Sequence, residues 1–419
     1  MSWLNCYVMM RPKISFIIHR VPQAVLRSLN SSKSFILIPH LLPLNLSYIY
    51  RRLTSESCLN LANTPISSSS HSPIMKAFVT TEGRTAAVQE IPKPTPGEGE
   101  ILVRVHYAAQ NPTDWKAVPH RPAGRIVGCD FAGTVEDSNG SHWSNGQRVA
   151  GFVYGTMDEP LRGAFAEYLV TESSLVWAVP DSVSLQDAST VSLAFATAVQ
   201  AMFQRLGLPE PSKPATSAFP VLINGGTSSV GLYAVQLAKL AGLYVIATGS
   251  KQNHDLLTSL GADAVVDYKD ASWPEKVREL SHDKLQHAFD CIAEKETTTA
   301  VARALSPTKG GHVVCILPRK NSELPEGLTK VKVESTIVYT VFGKPLNLGE
   351  NSFDNWGGPT PRDRQFWEKY LSMLPEYIGS GKIKPNPSKE LGGLEAISEG
   401  FELQQQGKVR AEKLVYKIT

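Results

Sequence analysis

The fold is decided by the stretch Ile223-Asn224-Gly225-Gly226-Thr227-Ser228-Ser229-Val230-Gly231, a glycine-rich turn between an apolar run and a helical pattern. Compared with the pattern G-x-G-x-x-G, Gly226 and Gly231 occupy the first and third glycine positions, and Ser228 stands at the middle one. In that pattern the backbone turns tightly and presents the free N–H groups of a helix N-terminus to a pyrophosphate. The stretch therefore predicts a strand, a phosphate-binding turn and a helix. The alternative is an ordinary loop.

Strands and helices alternate around this turn. The segment that follows it has apolar residues at helical spacing and ends at Gly242, as helices commonly do. Short apolar runs that predict strands lie at residues 221–223, 244–248, 264–266, 288–291 and 312–316. Helical segments between most of these runs indicate parallel strands joined by crossovers. The sequence therefore predicts a doubly wound parallel α/β sheet over residues 206–343.

The chain before this unit has a different pattern. From residue 75 to about residue 180, short alternating runs are separated by turn signals, which predicts a β-rich unit. Asp181 is the predicted N-cap region of a helix over 187–206, and Pro209, Pro211 and Pro214 mark a linker. We therefore predict a first domain over residues 75–205.

The C-terminal part, residues 344–419, returns to loops, a helix over 364–378 and a final strand over 413–417. We predict that it rejoins the first domain. A β-rich domain, an inserted dinucleotide fold and a returning tail suggest a cleft between two domains, where ligands usually bind.

The end of the second predicted strand indicates which cofactor the turn holds. NAD-binding sites place an Asp or Glu about 20 residues after the turn to bond the ribose 2′-hydroxyl. Here Thr248 is followed by Gly249, Ser250, Lys251, Gln252 and Asn253, with no acid before Asp255. Hydroxyl, amide and ammonium donors suit a 2′-phosphate, so we predict NADPH. The alternative is that Lys251 is only a solvated surface lysine.

Charge divides the chain into a basic leader and a mildly acidic remainder. The net charge of the 419 residues is +3, but residues 1–74 carry seven Lys and Arg against the single acid Glu56. The rest of the chain is therefore slightly negative, and it lacks the excess of basic residues that is typical of nucleic-acid-binding proteins. We predict no nucleic-acid partner.

The leader, residues 1–74, has no periodicity that builds a domain, and we expect it to be disordered. Pro39, His40 and Pro43 interrupt its longest apolar run, so we predict no membrane helix. An acid-poor start with Arg and Ser resembles a mitochondrial-type transit peptide, and the alternative is an extension without function. We predict a cytoplasmic protein, or a mitochondrial one if the leader is a transit peptide.

The five cysteines are dispersed and form no CxxC pair, which fits a reducing compartment rather than a disulfide framework; they are Cys6, Cys58, Cys129, Cys291 and Cys315. No cluster with zinc-ligand spacing is present in the sequence either. We therefore predict no metal.

Several motifs resemble the medium-chain dehydrogenase/reductase superfamily, in the order in which that superfamily carries them. They are residues 97–105, Asn111-Pro112-Thr113-Asp114-Trp115-Lys116, Gly128-Cys129-Asp130-Phe131-Ala132-Gly133, Gly163-Ala164-Phe165-Ala166-Glu167-Tyr168 and residues 237–242. The resemblance covers residues 75–419 and implies a GroES-like catalytic domain wrapped around a Rossmann domain.

The resemblance is to the zinc-free branch of that superfamily. Zinc-dependent alcohol dehydrogenases carry a metal-binding cysteine where this chain has Asn111, and Gly-His-Glu where it has Gly128-Cys129-Asp130. Catalytic zinc needs three protein ligands, and these positions do not supply them.

Within that branch, the Asn111–Lys116 motif, the run Tyr339-Thr340-Val341-Phe342-Gly343 and an insertion over 356–367 resemble fungal trans-acting enoyl reductases of polyketide biosynthesis. Relatives in the branch also include quinone and crotonyl-thioester reductases. The turn and this resemblance together imply NADPH contacts from Thr113, Asp114, Trp115, Lys116, Gly226, Thr227, Ser228, Ser229, Val230, Gly231, Ser250, Lys251, Gln252, Asn253, Tyr268, Cys315, Ile316, Val409 and Arg410. It implies a substrate channel lined by Ser192, Leu193, Ala194, Phe195, Ala196, Thr197, Ala198, Val199, Ile337, Val338, Tyr339, Thr340 and Val341.

Two residues are candidates for catalysis. Lys116 could anchor a phosphate or ribose of NADPH, or it could be a solvated lysine near a helix start. Tyr339 could donate to a substrate carbonyl, or it could be a buried tyrosine bonded to backbone. We expect Asp130 and Glu167 to bond backbone N–H groups and Cys129 to be a small core residue.

Three functions remain open at this point. The first is an NADPH-dependent enoyl reductase that acts in trans on a carrier-protein-bound thioester, with a polyketide synthase as partner. The second is an NADPH-dependent quinone or small-enone oxidoreductase that acts without a partner. The third is a non-catalytic NADPH-binding sensor, because a fold does not fix a function. We expect a monomer.

Overall fold

The computed structural model describes residues 6–7, 17–18, 73–156, 161–344, 346 and 361–419. The chain divides into two units, Met1–His71 and Ser72–Thr419. In the first unit, β1 (Cys6–Tyr7) pairs with β2 (Ile17–Ile18) in antiparallel fashion. Residues 1–5, 8–16 and 19–72 of the predicted leader lie outside the described residues, as do residues 356–360 of the predicted insertion over 356–367. None of the described helices combines the length and the apolarity that a membrane span requires.

A seven-stranded sheet forms the first half of the second unit. Most residues of its central strands are buried. A hairpin of β3 (Ile74–Thr81) and β4 (Thr85–Pro92) precedes it. The sheet then takes β5 (Glu100–Ala109), β6 (Asp130–Asp137), β7 (Arg148–Phe152), β8 (Tyr168–Glu172) and β9 (Val176–Ala178). Helix α1 (Pro112–Ala117) and a 3₁₀ turn (Val118–His120) follow β5, and a second 3₁₀ turn (Ser173–Leu175) precedes β9.

The predicted helix over 187–206 is wrong in two respects. It is divided into α2 (Leu185–Ser189), α3 (Ser192–Val199) and a π-helical segment (Gln200–Arg205), in which Leu206 N–H bonds the carbonyl of Ala201. Its N-cap is Ser184, not Asp181. The Ser184 hydroxyl accepts the Asp187 N–H at 3.0 Å, whereas the Asp181 carboxylate pairs with Arg148.

The six-stranded sheet confirms the doubly wound parallel fold. All its strand pairs are parallel, in the order β12-β11-β10-β13-β14-β15. Its elements are β10 (Pro220–Asn224), α4 (Ser229–Leu240), β11 (Tyr244–Thr248), α5 (His254–Ser259), β12 (Ala264–Val266), α6 (Trp273–Leu280), β13 (His287–Asp290), α7 (Lys295–Ala304), β14 (Gly311–Cys315) and β15 (Val331–Ser335). Short 3₁₀ turns cover Lys251–Asn253, Asn321–Glu323 and Val338–Phe342. The strand order reverses at β10, so the predicted phosphate turn lies at the switch point where such sheets bind ligands.

The C-terminal part contributes α8 (Pro361–Gly379), β16 (Ser388–Gly392), a 3₁₀ turn (Leu394–Ala396), α9 (Ile397–Gln405) and β17 (Lys413–Lys417). It returns to the seven-stranded sheet, where β17 lies between β16 and β5.

One apolar cluster joins the two sheets. Phe152 of β7, Phe195 of α3 and Ile223 of β10 belong to this cluster, and Phe195 has no exposed surface. The other face of the six-stranded sheet packs separately on α6 and α7, through residues such as Leu222. In β10, Val221 and Ile223 point toward one face of the sheet and Leu222 toward the other. All three are apolar and buried, because helices cover both faces. The α2–α3 region is thus held in place by both halves of the unit.

Candidate active site

The glycine turn is shaped by contacts that no larger residue allows. A Cβ on Gly231 would lie 2.2 Å from the carbonyl oxygen of Gly225, and Gly225 itself has a φ of +72°. The Ser228 hydroxyl caps α4 by accepting the Gly231 N–H at 3.0 Å. The N–H groups of Ser229 and Val230, the first two helical positions, have no intrahelical partner. Together with the helix dipole, they fit an anionic pyrophosphate.

A groove of about 810 Å³ runs from this turn across the carboxyl ends of the parallel strands. The predicted cofactor residues that line it are Thr227, Ser228, Ser250, Asn253, Tyr268, Val409 and Arg410. Lys269, Glu294 and Glu296 also line it and were not predicted. Val409 and Arg410 come from the C-terminal part of the chain, just before β17. The groove is therefore built by the six-stranded sheet and by the segment that returns to the other sheet.

The part of the groove beyond β11 presents donors rather than a carboxylate. Ser250 and Asn253 line it, and the side chain of Lys269 is exposed beside them. The Arg410 side chain, also exposed, donates from Nε to the carbonyl of Gly407 at 3.2 Å. This part of the groove therefore offers hydroxyl, amide and cationic groups to a ligand.

A second pocket, of about 320 Å³, meets the groove at Ser228, which lines both. Apolar side chains supply most of its wall. The predicted residues that line it are Thr113, Leu193, Thr197, Ser228, Ser229, Val230, Ile316, Ile337, Val338 and Tyr339. Asn111, Pro112, Tyr154, Cys291, Leu317, Pro318 and Thr336 complete the wall. The pocket thus gathers seven stretches of the chain, between residues 111 and 339, that lie far apart in the sequence.

The remaining predicted residues lie outside both lining sets within the described part of the chain. They are Asp114, Trp115, Lys116, Gly226, Gly231, Lys251, Gln252, Cys315, Ser192, Ala194, Phe195, Ala196, Ala198, Val199, Thr340 and Val341. Lys116 is exposed, with its ammonium 5.5 Å from the centre of the Trp115 ring. Cys315 is buried against the Thr298 hydroxyl, 3.8 Å away. Their contact with a ligand stays a prediction.

Tyr339 lies in the pocket wall, where other side chains hold its ring and its hydroxyl. Its ring stacks on that of Tyr154, with centroids 3.6 Å apart and planes 3° from parallel. Its hydroxyl donates to Oγ1 of Thr113 at 3.1 Å and lies 3.7 Å from Sγ of Cys129. Burial raises the pKa of Tyr339 well above the ordinary value, so the phenol keeps its proton. The alternative of a tyrosine bonded to backbone does not describe these side-chain contacts.

Gln200 is a positioning residue that the sequence analysis missed. It is fully buried at the start of the π-helical segment, and its Nε2 donates to Oγ1 of Thr340 at 2.8 Å. Its Oε1 accepts a hydrogen bond from the Thr336 hydroxyl. These two threonines flank the three residues that include Tyr339. Gln200 thereby fixes both ends of the segment that forms one wall of the pocket, and no local pattern in the sequence marks it.

Asp130 lies fully buried at the base of the pocket, where it joins several elements. Its Oδ1 accepts the N–H of Leu193 at 2.8 Å, and its Oδ2 accepts from Nδ2 of Asn111 at 3.0 Å and from Nζ of Lys413 at 2.5 Å. The expected backbone contact of Asp130 is therefore present, together with an ion pair that was not predicted. The other expected carboxylate, Glu167, accepts the Lys76 N–H at 2.8 Å.

The ammonium of Lys413 makes a second contact within this cluster. The Lys413 ammonium also donates to the carbonyl of Thr190 at 3.3 Å, so its charge is held within the site. In the described residues, no three His, Cys, Asp or Glu side chains are grouped to hold a metal ion.

Two family models match the chain. The alcohol dehydrogenase GroES-like domain matches residues 97–181, and the model described as zinc-binding dehydrogenase matches residues 229–351. The first match covers β5 to β9 of the seven-stranded sheet, and the second covers β11 to β15 of the six-stranded sheet.

Known proteins resemble the chain over most of its length. A trans-enoyl reductase of Alternaria alternata is 36% identical over 355 residues, which cover 82% of this chain and 98% of that protein. A zinc-type alcohol dehydrogenase-like protein of Schizosaccharomyces pombe is 35% identical over 356 residues, covering 82% of this chain and 100% of its own. A putative zinc-dependent alcohol dehydrogenase of Rhizobium etli superimposes with a TM-score of 0.68 at 24% identity, over 83% of this chain and 98% of that one. This last likeness shows the fold.

Proposed function

The chain belongs to the medium-chain dehydrogenase/reductase family, and from this membership we propose that it is an NADPH-dependent enoyl reductase. Its substrate is an α,β-unsaturated thioester of the polyketide type, presented in trans by a carrier protein of a polyketide synthase. The relative from Alternaria alternata, named a trans-enoyl reductase, supports this assignment. The protein acts as a monomer.

The observation that carries the proposal is the junction of the groove and the pocket at Ser228. A dinucleotide bound along the groove would end where the apolar pocket begins, beside the hydroxyls of Tyr339 and Thr113. A reducible bond in that pocket would then face both a hydride source and a proton donor. A pocket of about 320 Å³ also has room for a short acyl chain.

The residues present fit the cofactor. Ser229 and Val230 would hold the pyrophosphate through their N–H groups, and the glycines of the tight turn, Gly225 and Gly226, have no side chain to keep the phosphates away. Ser250, with Asn253 and Lys269, would hold the 2′-phosphate. When bound, the nicotinamide supplies a hydride to the β-carbon of the conjugated bond.

Side chains of the protein would supply the proton and position the cofactor. The phenol of Tyr339, kept protonated by burial, donates to the oxygen or carbon that gains charge, and the Tyr154 ring holds it in place. Lys116 anchors a phosphate or ribose after the side chain moves from its exposed position. No zinc takes part, because Asn111 donates to Asp130 and Lys413 already neutralises that carboxylate.

The decisive experiment measures NADPH oxidation by the full chain with crotonyl thioester and with a naphthoquinone, side by side, and repeats both with NADH. Turnover of the thioester, faster with NADPH than with NADH, is the expected result. Turnover of the quinone alone would replace the proposal by the second candidate, a quinone or enone oxidoreductase. The flat stacked pair Tyr154–Tyr339 at the pocket wall is the observation that favours that candidate.

A further inference from the structure

The segment 384–386 of the C-terminal part lies along one face of α4, the helix that begins at the glycine turn. Gln236 of α4 accepts the Lys384 N–H through Oε1 at 2.8 Å and donates from Nε2 to the Lys384 carbonyl at 3.2 Å. One helical turn closer to the start of α4, the Tyr233 hydroxyl accepts the Asn386 N–H at 3.2 Å. The segment is therefore held at two levels before its last residue reaches the start of the helix.

Asn386 extends this contact to the first residue of α4. Its Nδ2 donates to the carbonyl of Ser229 at 3.1 Å and to Oγ of Ser229 at 2.6 Å. The amide group cannot be reversed, because its oxygen would then face the Ser229 carbonyl oxygen. Asn386 is only 2% exposed, and its Oδ1 has no hydrogen-bond partner within the described residues. A buried atom without a partner costs stability, so packing alone does not explain an amide at this place.

The bonds from Asn386 decide where the Ser229 hydroxyl points. A hydroxyl has one proton to donate, and its oxygen can accept at the same time. Because Oγ accepts from the Asn386 amide, its own proton is directed away from that amide, and no described residue accepts it. Ser229 lines the apolar pocket beside Ser228, at which the pocket meets the groove. The Ser229 O–H is therefore available to a ligand at the glycine turn.

Two prolines stiffen the chain on either side of Asn386. Pro385 and Pro387 each fix their own φ and favour an extended backbone at the residue before them. The carbonyl of Pro387 also accepts the Lys413 N–H at 2.7 Å, which ties this part of the chain to β17. Asn386 is therefore placed by the seven-stranded sheet as well as by α4, and it needs little ordering when a ligand binds.

We propose that Asn386 is a positioning residue for the cofactor and that it acts through the hydroxyl of Ser229. With Oγ held by the Asn386 amide, the Ser229 O–H donates to an oxygen of the NADPH pyrophosphate, in addition to the N–H groups at the start of α4. This inference rests on the proposed function for its cofactor but not for its substrate. Because NADH carries the same pyrophosphate, Asn386 supports the binding of both dinucleotides.

The test is a double-substitution cycle in which fluorescence gives the Kd of NADPH for the full chain, without substrate. Asn386→Leu keeps the size of the side chain but removes its donors, and Ser229→Ala removes the hydroxyl. Each should raise the Kd by about five- to tenfold, as expected for one hydrogen bond to a charged group. Because both substitutions act on the same bond, the double variant should bind NADPH no more weakly than Ser229→Ala alone. NADH should give the same ratios.

Two controls separate this role from a general disturbance of the groove. Adenosine 2′-monophosphate has no pyrophosphate, so Asn386→Leu should leave its Kd within about twofold of that of the unaltered protein. Gln236→Leu removes the other attachment of the segment 384–386 to α4. It should lower the free energy of unfolding in urea and leave the Kd of NADPH unchanged.

If Asn386→Leu weakens NADPH as strongly in the Ser229→Ala background as in the unaltered protein, Asn386 does not act through the hydroxyl and the inference is wrong. A similar loss for adenosine 2′-monophosphate, or in Gln236→Leu, would also overturn it, because the groove or the whole segment would then be disturbed. Failure to reduce crotonyl thioester would overturn the proposed function alone, since these Kd values need no turnover. Failure of the unaltered protein to bind either dinucleotide would overturn both.

Discussion

Two buried aspartates at the base of the pocket differ in the number of their partners. The Asp130 carboxylate accepts three hydrogen bonds, from an ammonium, an amide and a backbone N–H, so both of its oxygens have partners. Asp114 accepts the Asn111 N–H, and its other oxygen is left without a partner in the described residues. Burial without compensation favours the neutral form of an acid. The two residues, 16 positions apart in the chain, can therefore serve different purposes, one holding elements together and one holding a proton.

Asp114→Asn should change how stability depends on pH. Because the folded state raises the pKa of Asp114 from 3.8 to about 7, it binds more protons than the unfolded chain between these values. Stability therefore falls as the pH rises through this window, by about 4 kcal/mol from this group. Urea denaturation at pH 5 and pH 8 should show a smaller loss for Asp114→Asn. An identical loss in both proteins would contradict the raised pKa.

Lys413→Met should be strongly destabilising, because it leaves the Asp130 carboxylate buried without its ammonium. We expect a loss of about 3–5 kcal/mol in urea denaturation. Replacing Asp130 by Asn as well should recover part of that loss. Lys239→Met breaks a partly exposed pair with Asp263 and is the matched control, for which we expect little change. If the two substitutions reduced the free energy of unfolding equally, the burial of the Lys413–Asp130 pair would not explain the loss.

Ser250→Asp tests the cofactor preference. A carboxylate at the place of the 2′-phosphate should raise KM for NADPH by about tenfold or more and leave KM for NADH unchanged or lower. Ser259→Asp adds the same charge at the exposed end of α5, outside the groove lining, and should change neither constant. If both variants weaken NADPH equally, the effect is one of overall charge and Ser250 does not select the cofactor.

At the scale of elements, the π-helical segment is what brings Gln200 to the pocket. Its wider turn interrupts the regular helical register directly after α3, and such segments often occur at functional sites. The buried amide of Gln200 then meets the hydroxyls of Thr336 and Thr340 on the facing segment. One irregular turn thus fixes the wall that holds Tyr339.

Gln200→Leu should therefore lower kcat by about tenfold, because Tyr339 would be held less precisely. Loss of the acceptor for the buried Thr336 hydroxyl should also reduce stability by about 1–3 kcal/mol. Gln204→Leu is the matched control, since Gln204 lies in the same segment but donates to Asp363, away from the pocket. It should lose stability without losing kcat. Parallel losses of kcat in both variants would show that the whole segment, and not Gln200, governs the rate.

The sequence predicted those elements whose evidence is local. The turn at 223–231, the strands β11, β12 and β17, and the sheet they imply depend on patterns within a few residues, and the structure has them. The predicted helix over 187–206 failed because the hydroxyls of Ser184 and Thr190 set its start and its break. The cluster around Asp114 could not be predicted, because it depends on contacts across more than 200 positions, such as Cys129 with Tyr339.

At the scale of the whole molecule, the two sheets share one apolar cluster and one groove. Val409 and Arg410 line the groove together with residues of the six-stranded sheet, and they directly precede β17 in the other sheet. A ligand in the groove therefore contacts chain segments from both halves. Ligand binding and the stability of the whole second unit should be linked.

NADPH should therefore stabilise both sheets at once. At a concentration of 100 times its Kd, we expect a gain of about 2.7 kcal/mol and a single thermal transition. Tryptophan fluorescence and circular dichroism should give the same midpoint, with and without NADPH. Two separate transitions, of which NADPH shifts one, would show that the shared cluster does not couple the sheets.

Strand β17 is synthesised last, although the sheet that it completes begins early in the chain. This strand is the last in the sequence, yet it lies inside the seven-stranded sheet, where it pairs with Tyr107–Ala109 of β5. The final residue also donates to the carbonyl of Val105 at 2.8 Å. On the ribosome, the six-stranded sheet is complete while this edge of β5 is still unpaired, and open strand edges promote aggregation. A chain that stops before Lys413 therefore leaves the first sheet incomplete. We expect chaperones and proteases to remove such a chain, so that the truncation lowers the amount of protein before it changes catalysis.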